Sequence, residues 1–220
     1  RHRPVPWFGN KDIPASDLKQ LYVKEKLIQG RGGSYPVYEV RAITNHDGPP
    51  AIQGEDDGKA AVPGMLERLD QNADCDGFII GCFDDTGLFD ARAMTRKPVI
   101  GIGQASFHLA ALRHGPFHVL TTLAVSIPVI EENIARQGFA ESCLGVLASG
   151  VPVLELEHNP DQAAAIISDH IATIEQNDAS PTVILGCAGM TSIHGQLQAR
   201  HMAVLVDPIM AAARLMPALF

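Results

Sequence analysis

Two cysteines stand where strand ends usually place chemistry. One closes Gly77-Phe78-Ile79-Ile80-Gly81-Cys82 and the other closes Val183-Ile184-Leu185-Gly186-Cys187. Each follows a short apolar run bounded by turn residues, the pattern of a buried strand in a parallel sheet. Open α/β sheets bind their ligands at that end of the strand. If both strand ends face one cleft, the thiols approach a ligand from opposite sides. Stereoinversion at a carbon α to a carbonyl needs that arrangement, with a base on one face and an acid on the other. A free thiol titrates near ~8.5, so modest depression supplies a base at neutral pH. A helix N-terminus after each strand is expected to provide the depression, and its N–H groups can stabilise an enolate oxygen. Such chemistry needs no metal, flavin or pyridoxal if neighbouring carbonyls already acidify the proton.

The elements around the cysteines repeat. Sixteen residues after Cys82 begins Pro98-Val99-Ile100-Gly101-Ile102, and sixteen after Cys187 begins Ala203-Val204-Leu205-Val206. Each is an apolar run leading into a helical pattern. Two equal strand–Cys–helix–strand–helix units predict a duplicated α/β architecture with one thiol per half. The expected fold is two pseudo-symmetric lobes, each a mostly parallel sheet flanked by helices, with the active site in the cleft between them. Residues 1–97 with 207–220 are assigned to the lobe carrying Cys82, and residues 98–206 to the lobe carrying Cys187.

Bulk properties narrow the function class. A chain of 220 residues with 46% hydrophobic and 19% charged residues is ordinary for a soluble globular protein. Its net charge of -8 argues against a nucleic-acid partner. No apolar stretch approaches the roughly 20 residues that span a bilayer, and Arg1-His2-Arg3-Pro4-Val5-Pro6-Trp7 lacks the apolar core of a secretory signal. The expected location is the cytoplasm, with Cys75, Cys82, Cys143 and Cys187 reduced.

Along the chain, Asp17 to Gln29 reads as a helix with a loose apolar face at Leu18, Leu21, Val23 and Leu27. Gly30 to Ser34 reads as a flexible connector and Val37 to Thr44 as a strand. Gly58 to Asn72 is helical, with Pro63 in its first turn or at a kink. Cys143–Ala148 and Val151–Leu156 are strand-like, and Asp161–Gln176 is a clear amphipathic helix. Alternation of strands with helices argues for α/β.

Other candidates give weaker signals. Gly101-Ile102-Gly103-Gln104 resembles a dinucleotide loop but lacks the third glycine and a following acidic residue, so close strand–helix packing is the better reading. Gly115-Pro116 separates His114 from His118 and removes the shared helical face that a zinc pair would use. His194 could tune Cys187, although a surface helix histidine explains it as well. Of Asp84 and Asp85, one is expected to cap the Gly87–Met94 helix. Their charge should raise the Cys82 pKa and make it the protonated partner. Cys75 and Cys143 read as packing residues.

These motifs resemble the Asp/Glu/hydantoin racemase superfamily, and within it the hydantoin and allantoin racemase branch. The resemblance rests on Ile80-Gly81-Cys82-Phe83-Asp84-Asp85-Thr86-Gly87-Leu88 and Ile184-Leu185-Gly186-Cys187-Ala188-Gly189-Met190. Thr44-Asn45-His46-Asp47-Gly48-Pro49-Pro50-Ala51-Ile52, Val62-Pro63-Gly64-Met65-Leu66 and Val119-Leu120-Thr121-Thr122 add to it. It implies a cofactor-independent racemase with catalytic Cys82 and Cys187, acting on a small cyclic ureide. The pocket would be lined near Phe83, Asp84, Thr121, Thr122, Ala188 and Gly189, with no metal, in a homo-oligomer. The family opens with an apolar strand and an Asn-Pro-Asn-type loop. Here Val5-Pro6-Trp7-Phe8-Gly9-Asn10 stands instead, with Asn10 as the remnant of that loop. Alternatives are a racemase of acidic amino acids, a decarboxylase or maleate-isomerase relative, and a non-catalytic ligand-binding module. Retention of both cysteines argues against the decarboxylase.

Overall fold

A computed structural model describes the backbone of residues 20–30, 33–113 and 115–220, and side chains from residue 40 onward. The first half runs β1 (Gln20–Gly30), β2 (Gly33–Ala42), α1 (Glu55–Gln71), β3 (Gly77–Ile80), α2 (Leu88–Met94), β4 (Val99–Gly101) and α3 (Ile102–Arg113). The second runs β5 (Phe117–Thr121), α4 (Ile127–Arg136), β6 (Cys143–Ala148), α5 (Glu155–His158), α6 (Pro160–Asn177), β7 (Thr182–Gly186), α7 (His194–Gln198), β8 (Val204–Val206) and α8 (Pro208–Leu215).

The strands form two four-stranded sheets, ordered β2-β1-β3-β4 and β6-β5-β7-β8. All pairings in the second are parallel. The first is mixed: β3 and β4 are parallel, while β1 runs antiparallel to both β2 and β3. The cysteine-bearing units correspond, since β3–α2–β4 and β7–α7–β8 each place two neighbouring parallel strands around a helix.

Continuous apolar runs are explained by burial on both faces. On β3, Phe78 and Ile80 join the core under α1 and α2, whereas Ile79 joins a central core. On β7, Val183 and Leu185 meet the apolar face of α6 at Ala164, Ile167 and Ile171, whereas Ile184 enters the same central core. Residues of α3, α4 and α8 fill that central core, with Phe107 stacked on Phe117 at 5.9 Å. Both sheets therefore share one apolar interior through alternate residues of their central strands.

Several expectations change. Residues 20–29 form a strand, not a helix; spacing at Leu21, Val23 and Leu27 also fits period two, and Gly30 pairs with Gly33 in a hairpin. Pro36 is tolerated because β2 is an edge strand. Helix α1 starts at Glu55, which leaves Pro63 inside it. Val151–Leu156 is no strand but a loop entering α5, following Gly150 in the left-handed region. Strand β4 pairs with β3, and helix α8 packs on α3 and β7.

Asp85 fixes the turn after β3. Its carboxylate accepts the N–H groups of Gly103 at 2.9 Å and Gln104 at 2.8 Å, satisfying donors that the start of α3 leaves unpaired. Gln137 Nε2 adds a third bond at 3.3 Å. A side chain at Gly101 or Gly103 would run into this carboxylate, so the two glycines serve close packing. Helix α2 has no side-chain cap; its N-cap is Gly87, and Asp85 caps α3 instead.

Burial pushes Asp85 up to about 7, against the opposing effect of its N–H donors. The folded value lies above the unfolded ~3.9, so the stability held by the neutral carboxyl is complete below about pH 4 and is lost as pH rises through about 7. Two outcomes are expected in denaturant titrations. Asp85→Ala loses about 2–4 kcal/mol, because two buried N–H groups lose their acceptor. The stability of wild type relative to Asp85→Asn declines between pH 4 and 7; a pH-independent difference contradicts this reading.

Candidate active site

A pocket of about 90 Å³ opens at the C-terminal ends of β3, β5 and β7. Gly81, Cys82, Phe83 and Asp84 enter it from the first sheet, joined by Pro50, Ala51 and Ile52 from the loop before α1. Thr121, Thr122, Gly186, Cys187, Ala188 and Gly189 enter from the second. Ser126, Val153, Leu154 and Glu157 complete the wall. Every expected site residue from Phe83 to Gly189 therefore lines one cavity with both thiols. Asn10 lies outside the described residues.

Each thiol is positioned by the turn that follows its strand. At Gly186 an added Cβ would sit 2.9 Å from Thr121 Cα, so glycine lets β5 and β7 close up just before Cys187. Thr121 Oγ1 donates to the Gly186 carbonyl at 3.1 Å and locks the same junction. The segment Ala188–Ile193 is a 3-10 helix in which the Met190 N–H donates to the Cys187 carbonyl at 3.1 Å, and the Gly189 and Met190 N–H groups lie on the side of the Cys187 sulfur where they favour its thiolate. On the other side, Thr86 Oγ1 donates to Cys82 Sγ at 3.3 Å, and the Asp84 N–H also reaches this sulfur. Phe83 turns its ring into the central core, edge-on to Phe107 at 5.8 Å, so its pocket contribution is confined to the rest of the residue.

The depression expected from the helix ends is not found, whereas the expected rise of Cys82 beside Asp84 is. Burial raises both, and the Asp84 charge raises both further. Cys187 is pushed up to about 11 while its two N–H donors pull the other way. Cys82 is pushed higher still, with the neighbouring Cys187 as an added cause. Desolvation of the thiolate outweighs the helix-end donors because the pocket holds no compensating cation. Among its described lining residues none is Lys, Arg or His. Asp84 itself is raised to about 6 by burial, against a hydrogen bond from Ser126 Oγ at 3.3 Å. All four cysteines are free thiols; Cys75 is buried in the core beneath α1, and Cys143 packs against the central core.

Contacts between the halves border the pocket. Gln53 Oε1 accepts the Val153 N–H at 3.3 Å, and Gly54, at φ 104°, lies against Val125. Asn45 holds this loop from behind, donating to the Ala61 carbonyl at 3.0 Å and accepting the Asp47 N–H at 3.1 Å. Pro50–Ile52, Ser126 and residues 153–157 were missed as site residues. The quoted Thr44–Ile52 motif was the available signal for the first group. His194 lies elsewhere, with Nε2 3.2 Å from the Leu205 carbonyl oxygen.

A second polar chain lies on the outer side of the second sheet. Ser168 Oγ is 2.7 Å from His201 Nε2, and His201 Nδ1 is 2.9 Å from Glu175 Oε2. Ser168 sits within α6, whose backbone N–H groups are spent in the helix, so no oxyanion donors face its hydroxyl. With Glu175 also accepting the Ala203 N–H at 2.8 Å, the chain ties α6 to the start of β8. Among the described residues no group of three His, Cys, Asp or Glu is arranged to hold a metal ion. No described helix is long and apolar enough to cross a membrane.

Comparison with known proteins agrees with this geometry. The chain is 37% identical to a hydantoin racemase of Rhizobium meliloti over 182 residues, covering 82% of this chain and 76% of that one. The allantoin racemase from Klebsiella pneumoniae superposes with a TM-score of 0.75 at 28% identity, covering 81% and 74% of the two chains. The allantoin racemase from Pseudomonas fluorescens gives 0.75 at 26% identity, covering 81% and 77%. The Asp/Glu/Hydantoin racemase family matches residues 25–216, nearly the whole described chain, and this protein belongs to it.

Proposed function

We propose that the protein is a cofactor-independent racemase of five-membered cyclic ureides, 5-substituted hydantoins or allantoin, working by proton transfer between two cysteines. The observation that carries this reading is that Cys82 and Cys187, supplied by different sheets, line a single pocket. Similarity to hydantoin and allantoin racemases supports the substrate class. The lining supports it too: a neutral ring carrying N–H and carbonyl groups suits walls with carboxyl and hydroxyl side chains and no described cation. An acidic amino acid would bring its carboxylates beside Asp84 with no basic side chain among the described lining residues to pair them.

In this mechanism the two lobes are pseudo-symmetric and hold the ring between them. One sulfur, as thiolate, removes the proton from the stereocentre, and the other, as thiol, returns one on the opposite face. The roles reverse for the other enantiomer. Negative charge moves onto the carbonyl oxygen, where the Gly189 N–H and the Thr122 hydroxyl are the candidate donors. Cys187, the less raised thiol, is the first to ionise in the empty pocket, which leaves Cys82 as the resting acid.

Three measurements test this reading. In deuterium oxide, an optically pure 5-substituted hydantoin should lose rotation while gaining deuterium at the stereocentre. Cys82→Ser and Cys187→Ser should each slow racemisation by at least about 10²-fold while remaining folded. Retention of full activity by either variant contradicts two-thiol catalysis. Alkylation of Cys187 by iodoacetamide should accelerate about tenfold per pH unit from 7 to 10, as thiolate forms below a pKa of about 11. Asp84→Asn should shift that profile to lower pH, because it removes a charge that opposes ionisation. An unshifted profile denies the electrostatic coupling.

A further inference from the structure

Asp84 is a charged side chain of the pocket two residues beyond Cys82, and the two-thiol mechanism leaves it unused. Its side chain is 7% exposed and lines the pocket. The Asn133 amide donates to its backbone carbonyl at 2.7 Å, which fixes the residue in place. Ser126 Oγ donates to Oδ2, and no described residue donates to Oδ1. Oδ1 is not sealed in the interior but faces the pocket and is open to solvent there. A ligand that displaces this solvent without supplying a donor leaves the oxygen unpaired at a cost, which no described lining cation relieves. A ligand that brings an N–H group to Oδ1 removes that cost. A ligand that brings a second carboxylate there meets a like charge in a desolvated site.

We propose that Asp84 is the specificity-determining residue of this pocket, accepting a hydrogen bond from the N–H attached to the substrate's stereocentre and turning away substrates that carry a carboxylate next to it. The inference rests on the racemase reading and deepens it. Asp84 lies two residues beyond Cys82 and lines the same pocket as both sulfur-bearing residues. The stereocentre of a cyclic ureide occupies that pocket, and in a hydantoin this carbon is bonded directly to a ring N–H. The carbon of an α-amino acid also bears an N–H group, but it carries a free carboxylate where the ureide carries a neutral ring carbonyl. One side chain thus distinguishes neutral ureides from acidic substrates by charge, repelling the carboxylate while accepting the N–H. The contact fits a carboxylate that is largely ionised above about pH 6.

The test is a cycle of substrate and protein changes, read as binding by calorimetry and separately as deuterium exchange. Hydantoin-5-acetamide and hydantoin-5-acetate have the same shape and differ in charge. Wild type should bind the acetamide about 10- to 100-fold better, and Asp84→Asn should bring the two within about threefold. Methylation of N1 in 5-benzylhydantoin should weaken binding by about 10- to 100-fold in wild type and by less than about threefold in Asp84→Ala. Methylation at N3 should give the same ratio in wild type and in Asp84→Ala. Equal preferences in wild type and both Asp84 variants overturn the proposal. Binding is measurable whether or not the ring is racemised, so the two readings fail separately. A changed cycle without deuterium exchange removes the racemase reading and keeps Asp84 as the selector. Exchange with an unchanged cycle removes Asp84 alone.

Discussion

Burial on both faces of β3 and β7 is the constraint that brings the site together. Ile79 and Ile184 enter one shared core, and that common interior sets the ends of their strands against the same cavity. The thiols follow each strand within two residues, so their placement inherits the rigidity of the core rather than the mobility of a loop. Close approach at Gly186 and the Asp85 bonds to the start of α3 then fix how each turn leaves its sheet.

The same burial that organises the site makes its ionisation difficult. Both thiols and both aspartates are raised, and desolvation is the first cause for each. A pocket of this kind resists holding two negative charges together. One thiolate balanced by one thiol is the charge state that proton shuttling requires, and the empty pocket favours the fully protonated pair. The Thr86 hydroxyl and the Gly189 and Met190 N–H groups oppose that preference, and under the proposed function substrate N–H groups would add to them. Selectivity and ionisation are thus two consequences of one desolvated cavity.

The central elements were legible in the sequence because their causes are local. A buried apolar run followed by Gly-Cys and a turn identifies β3 and β7 regardless of the surroundings, and the pocket brings together Phe83, Asp84, Thr121, Thr122, Ala188 and Gly189 around them. The errors came from long-range causes. Leu21, Val23 and Leu27 satisfy helical and strand spacing alike, and pairing with β2 and β3 decides between them. Val151 and Val153 alternate like a strand but serve as pocket wall, with Val153 bonded to Gln53 of the opposite half. One of Asp84 and Asp85 was expected to cap the helix beside them, yet that helix has no side-chain cap and Asp85 caps one eighteen residues away. Local sequence suggested lowered thiol pKa values, because helix ends are visible in a sequence and desolvation is not.

The central claim concerns opposite faces of one carbon, and a crystal structure with a bound cyclic ureide tests it most directly. The account predicts the stereocentre between Cys82 Sγ and Cys187 Sγ, with one sulfur above the ring and the other below it. A ring bound with both sulfurs on the same face, or with either sulfur turned away from the stereocentre, would contradict the account.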